Sequence, residues 1–129
     1  MIVGVGIDVI EVARIRAVWE RHGDRFLRRI YTEDEQAAVH GVREQYLAAR
    51  FAVKEAAFKA LGTGWARGVR WIDVEVSNLA SGQPVLSFRG HAERRMRELG
   101  ATHVHVSISH TAAYAVAQVV LEQRPPASE

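Results

Sequence analysis

The chain has 129 residues, 48% hydrophobic and 25% charged, a balance that excludes intrinsic disorder and fits one compact domain whose folding buries roughly two-thirds of the unfolded surface. It contains no cysteine, which removes disulfides, thiolate zinc sites and cysteine nucleophiles and accords with a reducing compartment. No apolar run approaches the roughly 18 residues of a membrane span, no secretion signal is visible, and a net charge of only +2 is a weak basis for binding polyanions, so a cytoplasmic protein without membrane or nucleic-acid partners is expected.

Residues 2–8, IVGVGID, alternate β-branched residues with glycine and close on a carboxylate. That pattern predicts a strand packed closely on another backbone and ending at Asp8. From Val9 to Arg21, the residues Ile10, Ala13, Ile15, Val18 and Trp19 recur at mixed helical spacing, predicting a helix with its arginines outward that residues 25–30 continue after Gly23. Between Arg14 and Arg29 six arginines stand against Glu20 and Asp24, a local balance of +4 that could meet an acidic partner. Thr32-Glu33-Asp34-Glu35 has the form of a capping box, so a helix of about two turns is expected to run on to near Gly41. The longest predicted helix spans Gln45 to Leu61 and stops at Gly62-Thr63-Gly64. At about 100° per residue, Leu47, Phe51, Phe58 and Leu61 share one stripe with Lys54 in its middle, Glu55 and Lys59 on one flank and Arg50 on the other. Strands are expected at Trp71–Val76, Pro84–Phe88, His103–Ser109 and Ala113–Leu121, with a helix at His91–Leu99, a hairpin around His110-Thr111 and a frayed, disordered tail over Arg124–Glu129. The order predicts an α+β domain over residues 1–123, with a mainly antiparallel sheet against the long helix.

Asp8 and Glu55 are carboxylates from distant parts of the chain, and oxygen ligands of that kind suit Mg²⁺, which takes one or two of them plus water and substrate phosphates. Taken singly, a helix N-cap accounts for Asp8, and an i,i+4 pair with Lys59, typically worth ~0.2–0.5 kcal/mol, accounts for Glu55. The only two lysines among 17 basic residues, Lys54 and Lys59, lie five positions apart. Lys59 with Gly62-Thr63-Gly64 has the ingredients of a phosphate site, although the glycines end a helix rather than open one, and spacing alone favours an ordinary helix stop. Lys54 is expected to lay its methylenes along the stripe and pair elsewhere. Of the six histidines, His103 and His105 share a strand face without a third ligand and are read as structural. His110, at the strand end in Ser107-Ile108-Ser109-His110-Thr111, could act as a base, a phosphate contact or a turn residue.

Together, GIDVIEV-x-RI at residues 6–15, RFAVKEAAFKALGTG at 50–64, GQP at 82–84 and SISHT at 107–111 resemble the bacterial holo-acyl-carrier-protein synthases, the short class of 4′-phosphopantetheinyl transferases, over about residues 2–122. The resemblance implies transfer of 4′-phosphopantetheine from coenzyme A to a serine of apo acyl carrier protein, as in fatty acid biosynthesis, with release of adenosine 3′,5′-bisphosphate. It implies Mg²⁺ held by Asp8 and Glu55, and phosphate contacts from Lys59, Gly62 and Gly64. By the same resemblance Arg50 and His110 anchor the 3′-phosphate, Pro84 lies beside the adenine, and Thr111 belongs to the coenzyme A site. A metal-bound water or Glu55 is the first choice for proton acceptor and His110 the second. Family members are homotrimers with coenzyme A between neighbours. That arrangement matches the roughly 140° between Arg50 and Glu55 on the helical wheel, which one protomer could hardly aim at one ligand. Arg14 matches the position that contacts the acidic carrier protein, with Arg21, Arg25 and Phe26 beside it.

Two other classes fit less of the sequence. A nucleic-acid-binding module would interleave aromatics with its arginines, but aromatics are 8% of the chain, and Asp8, Glu55 and Lys59 would have no role. A noncatalytic trimeric scaffold would use the same carboxylates as caps and salt bridges.

Overall fold

The computed structural model describes residues 1–63 and 68–126. Strand β1 (Ile2–Glu11) leads into helices α1 (Val12–His22), α2 (Asp24–Ile30) and α3 (Glu33–Ala37), followed by the long helix α4 (Arg43–Leu61). A 3₁₀ turn at Trp71–Asp73 precedes β2 (Val74–Asn78) and β3 (Pro84–Phe88), and α5 (Gly90–Leu99), β4 (His103–His110) and β5 (Tyr114–Glu122) complete the chain. All strand pairs are antiparallel: β1-β5-β4 form one sheet and β2-β3 a second. The result is the expected α+β fold, with α4 packed across the larger sheet.

The alternating glycines of β1 explain how close that packing is. A Cβ on Gly4 would run into the Ala60 carbonyl oxygen, and one on Gly6 into the Ala56 carbonyl oxygen. Strand and helix backbones therefore touch at two points one helical turn apart. Ala115, Ala117, Val119 and Leu121 of β5 present small and aliphatic side chains to the same interface. Gly4, Gly6 and Asp8 share one strand face, so the contact that buries Gly6 against Ala56 aims Asp8 along α4 toward Glu55 and Lys59.

α4 is buried almost all round, with thirteen of its 19 residues inside, so the single stripe read from the sequence understates its contacts. Six of those buried residues are alanines, which let neighbouring backbones approach. Gly62 ends the helix in the left-handed conformation at φ 72°, as its position after Leu61 predicts. The capping box forms as expected: the Thr32 hydroxyl accepts from Glu35 N at 3.2 Å and Glu35 Oε1 accepts from Thr32 N at 2.9 Å. Glu35 does more than cap. It is buried with Lys54, whose Nζ lies 2.8 Å from Glu35 Oε1 and also donates to the carbonyls of Trp71, at 3.2 Å, and Val74. Glu35 Oε2 accepts from Val76 N at 2.9 Å, so one carboxylate joins α3, α4 and β2. Burial lowers the Lys54 pKa from its usual range, and the Glu35 carboxylate opposes that shift.

Four expectations are corrected. β1 does not end at Asp8; it runs to Glu11 because β5 pairs with it throughout, with Asp8 opposite Ala117 and Glu11 opposite Tyr114. The first helix consequently begins at Val12 rather than Val9, and Asp8 is not an N-cap. The helix after Thr32 stops at Ala37, well short of Gly41. Residues 71–73 form a 3₁₀ turn instead of opening the strand, because the Asp73 carboxylate accepts from Arg70 N at 2.9 Å and curls the backbone back.

Candidate active site

Asp8, Glu55 and Lys59 line one cleft of about 330 Å³, together with Arg14, Ile15, Val18, Phe26 and Phe51. β1 supplies Asp8, α4 supplies the other two, and α1 supplies Arg14 at the rim. The Lys59 ammonium, half exposed, donates to the Ile7 carbonyl at 3.0 Å and pairs with Asp8 Oδ1 at 3.2 Å. The expected i,i+4 pair between Glu55 and Lys59 does not form; the lysine reaches across to β1 instead, where the strand carbonyl and a carboxylate offer two acceptors together.

Glu55 holds its proton more tightly than a free glutamate. Burial is the larger cause, the negative charge of Asp8 adds to it, and Lys59 opposes both. The two acids thus sense one another, and a divalent cation would relieve their repulsion. Among the described residues no group of three or more His, Cys, Asp or Glu could hold an ion, so a cation here would complete its shell from water and substrate oxygens. A two-carboxylate donor set of that kind fits Mg²⁺ rather than zinc.

Arg50 faces elsewhere. It lines a separate cleft of about 340 Å³ with His40, Tyr46, Asn78, Gly82, Pro84 and His110, none of which borders the first cleft. The wheel separation read from the sequence is realised: the α4 residues Glu55 and Arg50 open into different clefts of one protomer. Arg50 is 6% exposed, and no carboxylate lines the cleft it enters.

The 4′-phosphopantetheinyl transferase superfamily model matches residues 4–119. A holo-(acyl-carrier-protein) synthase of Solibacter usitatus is 51% identical over 124 residues, which cover 95% of this chain and 99% of that protein. The chain belongs to the holo-acyl-carrier-protein synthase family. Among solved members, the enzyme of Neisseria meningitidis superposes with a TM-score of 0.88 at 33% identity, covering 95% of this chain and all of that one. A Bacillus anthracis synthase determined in complex with coenzyme A (3′,5′-ADP) gives a TM-score of 0.78 at 42% identity, covering 96% and 99%. As in that family, the chain is a 4′-phosphopantetheinyl transferase.

The other expected synthase residues are scattered around these clefts. Gly62 ends α4, three residues beyond Lys59, while Gly64 lies outside the described residues. Thr111 does not line the Arg50 cleft; its hydroxyl accepts from Ala113 N at 3.2 Å and Tyr114 N at 3.0 Å and shapes the β4–β5 turn that carries His110. Arg14 and Arg21 are exposed on α1 and Arg25 on α2. Phe26 is buried and forms a wall shared by the first cleft and a neighbouring one rimmed by His22, Arg25 and Arg29. His105 pairs with Glu122 at 2.9 Å, in keeping with its structural reading. No described helix is long and apolar enough to cross a membrane.

Sequence reasoning missed Tyr46 and Asn78 beside Arg50. Tyr46 lies one turn before Arg50, where its ring meets the guanidinium at 4.1 Å, and that spacing was a usable signal. Asn78 reaches Arg50 only through the fold of β2, for which the sequence carries no local cue.

Proposed function

We propose that this synthase transfers 4′-phosphopantetheine from coenzyme A to a serine hydroxyl of an acidic apo acyl carrier protein in an Mg²⁺-dependent reaction. The observation that carries the assignment is the meeting of Asp8, Glu55 and Lys59 from two distant elements in one cleft with Arg14 on its rim. Asp8 and Glu55 would hold the ion, which would supply neutralisation of the diphosphate and of the charge developing on the departing adenosine 3′,5′-bisphosphate. Lys59, held among the described residues by Asp8 and a strand carbonyl, turns its ammonium to the phosphates. The serine oxygen forms a bond to the β-phosphorus as the bridging bond to the α-phosphate breaks. Glu55, in the same cleft, takes the hydroxyl proton. His110 is on the far cleft and serves the nucleotide instead, with Arg50 and Pro84.

Two features support a shared site in a homotrimer. The catalytic and nucleotide groups open into separate clefts of one protomer, so a single coenzyme A spans two protomers. The sheet face turned away from α4 also leaves Val5, Ile7, Val9 and Tyr114 more than half exposed, an apolar strip that a second copy would cover. The cysteine-free composition accords with a cytoplasmic enzyme.

The direct test incubates the protein with coenzyme A, Mg²⁺ and apo carrier protein and reads the mass gain of phosphopantetheine. Glu55→Gln abolishes the gain while the fold is retained. Full activity of that variant at limiting Mg²⁺ overturns the assignment.

A further inference from the structure

Arg50 is a nearly buried cation that pairs with no described carboxylate. Its guanidinium lies over the Tyr46 ring, Nη2 donates to Asn78 Oδ1, and Nε is buried without a hydrogen-bond partner. A buried charge left in that state is costly, and the structure tolerates it where an anion will complete it.

Two clefts compete for the group. On one side lies the carboxylate-free cleft with Pro84 and His110. On the other, Arg50 borders a cleft containing Asp34 and Glu75, where an internal ion pair would cancel its charge. Glu75 is already engaged by the Thr32 hydroxyl at 2.6 Å and by Arg89 at 2.8 Å. Asn78 borders both clefts and stands at the end of β2, opposite Pro84. Its own amide is fixed from behind: Nδ2 donates to the Gly82 carbonyl at 2.9 Å, which leaves Oδ1 directed at Arg50. The turn that holds it is closed by Leu79 N to Gln83 O at 2.9 Å and Gly82 N to Leu79 O at 2.8 Å, and needs the positive φ of 90° at Gly82. A neutral amide oxygen orients a guanidinium without neutralising it, which a carboxylate at the same place would do.

We propose that Asn78 is a positioning residue: with Tyr46 it holds Arg50 toward the nucleotide cleft and away from Asp34 and Glu75, and so sets the preference of the enzyme for a nucleotide bearing a 3′-phosphate. This rests on the reading of the Arg50 cleft as the 3′-phosphate site, and the experiment separates the two. Calorimetry on the assembled protein compares 3′,5′-ADP with 5′-ADP for wild type, Arg50→Ala, Asn78→Ala and Asn78→Asp, and steady-state kinetics supply KM and kcat for coenzyme A. Loss of one oriented bond to a charged group predicts that Asn78→Ala lowers the preference for 3′,5′-ADP roughly tenfold and raises KM by a similar factor, with a much smaller change in kcat. Asn78→Asp, close in shape, keeps the contact but quenches the charge, and lowers the preference at least as far. If Asn78→Ala does not fold, Asn78→Asp decides. The proposal is overturned if Arg50→Ala loses the preference while the Asn78 variants keep it, or if they weaken both nucleotides equally. If Arg50→Ala also keeps the preference, the 3′-phosphate reading of the cleft falls first and takes the proposal with it.

Discussion

Replacing Lys54 with Met removes the cation from a site where nothing can substitute for it. The side chains of Lys54 and Glu35 are both fully buried, and the Glu35 carboxylate would remain with only the backbone donors of Thr32 and Val76. Breaking one partner of such a pair costs about 3–5 kcal/mol, because the remaining charge is uncompensated. For a domain of this size that corresponds to a fall of roughly 10–20 °C in Tm. Urea unfolding at fixed protomer concentration reads the loss as a shift in midpoint without a change in slope. The double variant Lys54→Met, Glu35→Gln should recover part of it. Recovery is incomplete because a glutamine amide must turn its NH₂ toward either the Thr32 or the Val76 N–H, where an acceptor is needed. A loss in Lys54→Met below about 1 kcal/mol, or a double variant as unstable as the sum of the singles, refutes the claim that this pair ties α3, α4 and β2 together.

Because Glu55 binds its proton more tightly in the folded state, the native protein holds more protons than the unfolded chain between the ordinary glutamate pKa of 4.5 and the raised folded one, and the contribution of Glu55 to stability is lost as pH rises through that window. Glu55→Gln should therefore equal or exceed the wild type in stability at neutral pH without Mg²⁺, with the gap closing under acid; Mg²⁺ raises the Tm of the wild type alone, as differential scanning fluorimetry will show. Arg14→Glu reverses a charge at the cleft rim and should raise KM for the carrier protein roughly tenfold at low salt, an effect that shrinks as salt is added, while KM for coenzyme A stays nearly unchanged. Equal losses for both substrates would place Arg14 in the fold. Ile7→Lys puts a charge in the middle of the exposed apolar strip and should yield a monomer by sedimentation that loses most of its turnover. A fully active monomer refutes the shared site.

What the sequence made legible was local. The glycine alternation of residues 2–8 announces a backbone contact because no side chain fits there, and α4 meets β1 at Gly4 and Gly6. The capping box and the stop at Gly62 are interactions within four residues. What was misread depended on pairing across the chain. Nothing in Val9–Glu11 distinguishes strand from helix until β5, over 100 residues away, supplies the ladder. Lys54 does pair away from the stripe, as expected, but the sequence does not name the partner: it sits nineteen positions back in a residue already accounted for as a cap. The site divides the same way. Motif resemblance named Asp8, Glu55 and Lys59, and the structure puts them in one cleft, whereas Asn78 became visible only when β2 brought it to Arg50.

The division of labour on α4 follows from its burial. A helix enclosed on nearly every side has few directions in which a polar group can reach solvent, and each direction used must be opened by a neighbour. β1 opens one, because Gly6 lets the strand approach until Asp8 stands beside Glu55 and Lys59. The β2–β3 turn and the end of β4 frame the other, into which Arg50 projects. Lys54, between them in sequence, has no opening and must be neutralised inside. The rotation of α4 that this internal lock sets is therefore shared by both clefts. A change that frees it should loosen metal affinity and nucleotide affinity together, whereas a change at Asn78 should touch the second alone.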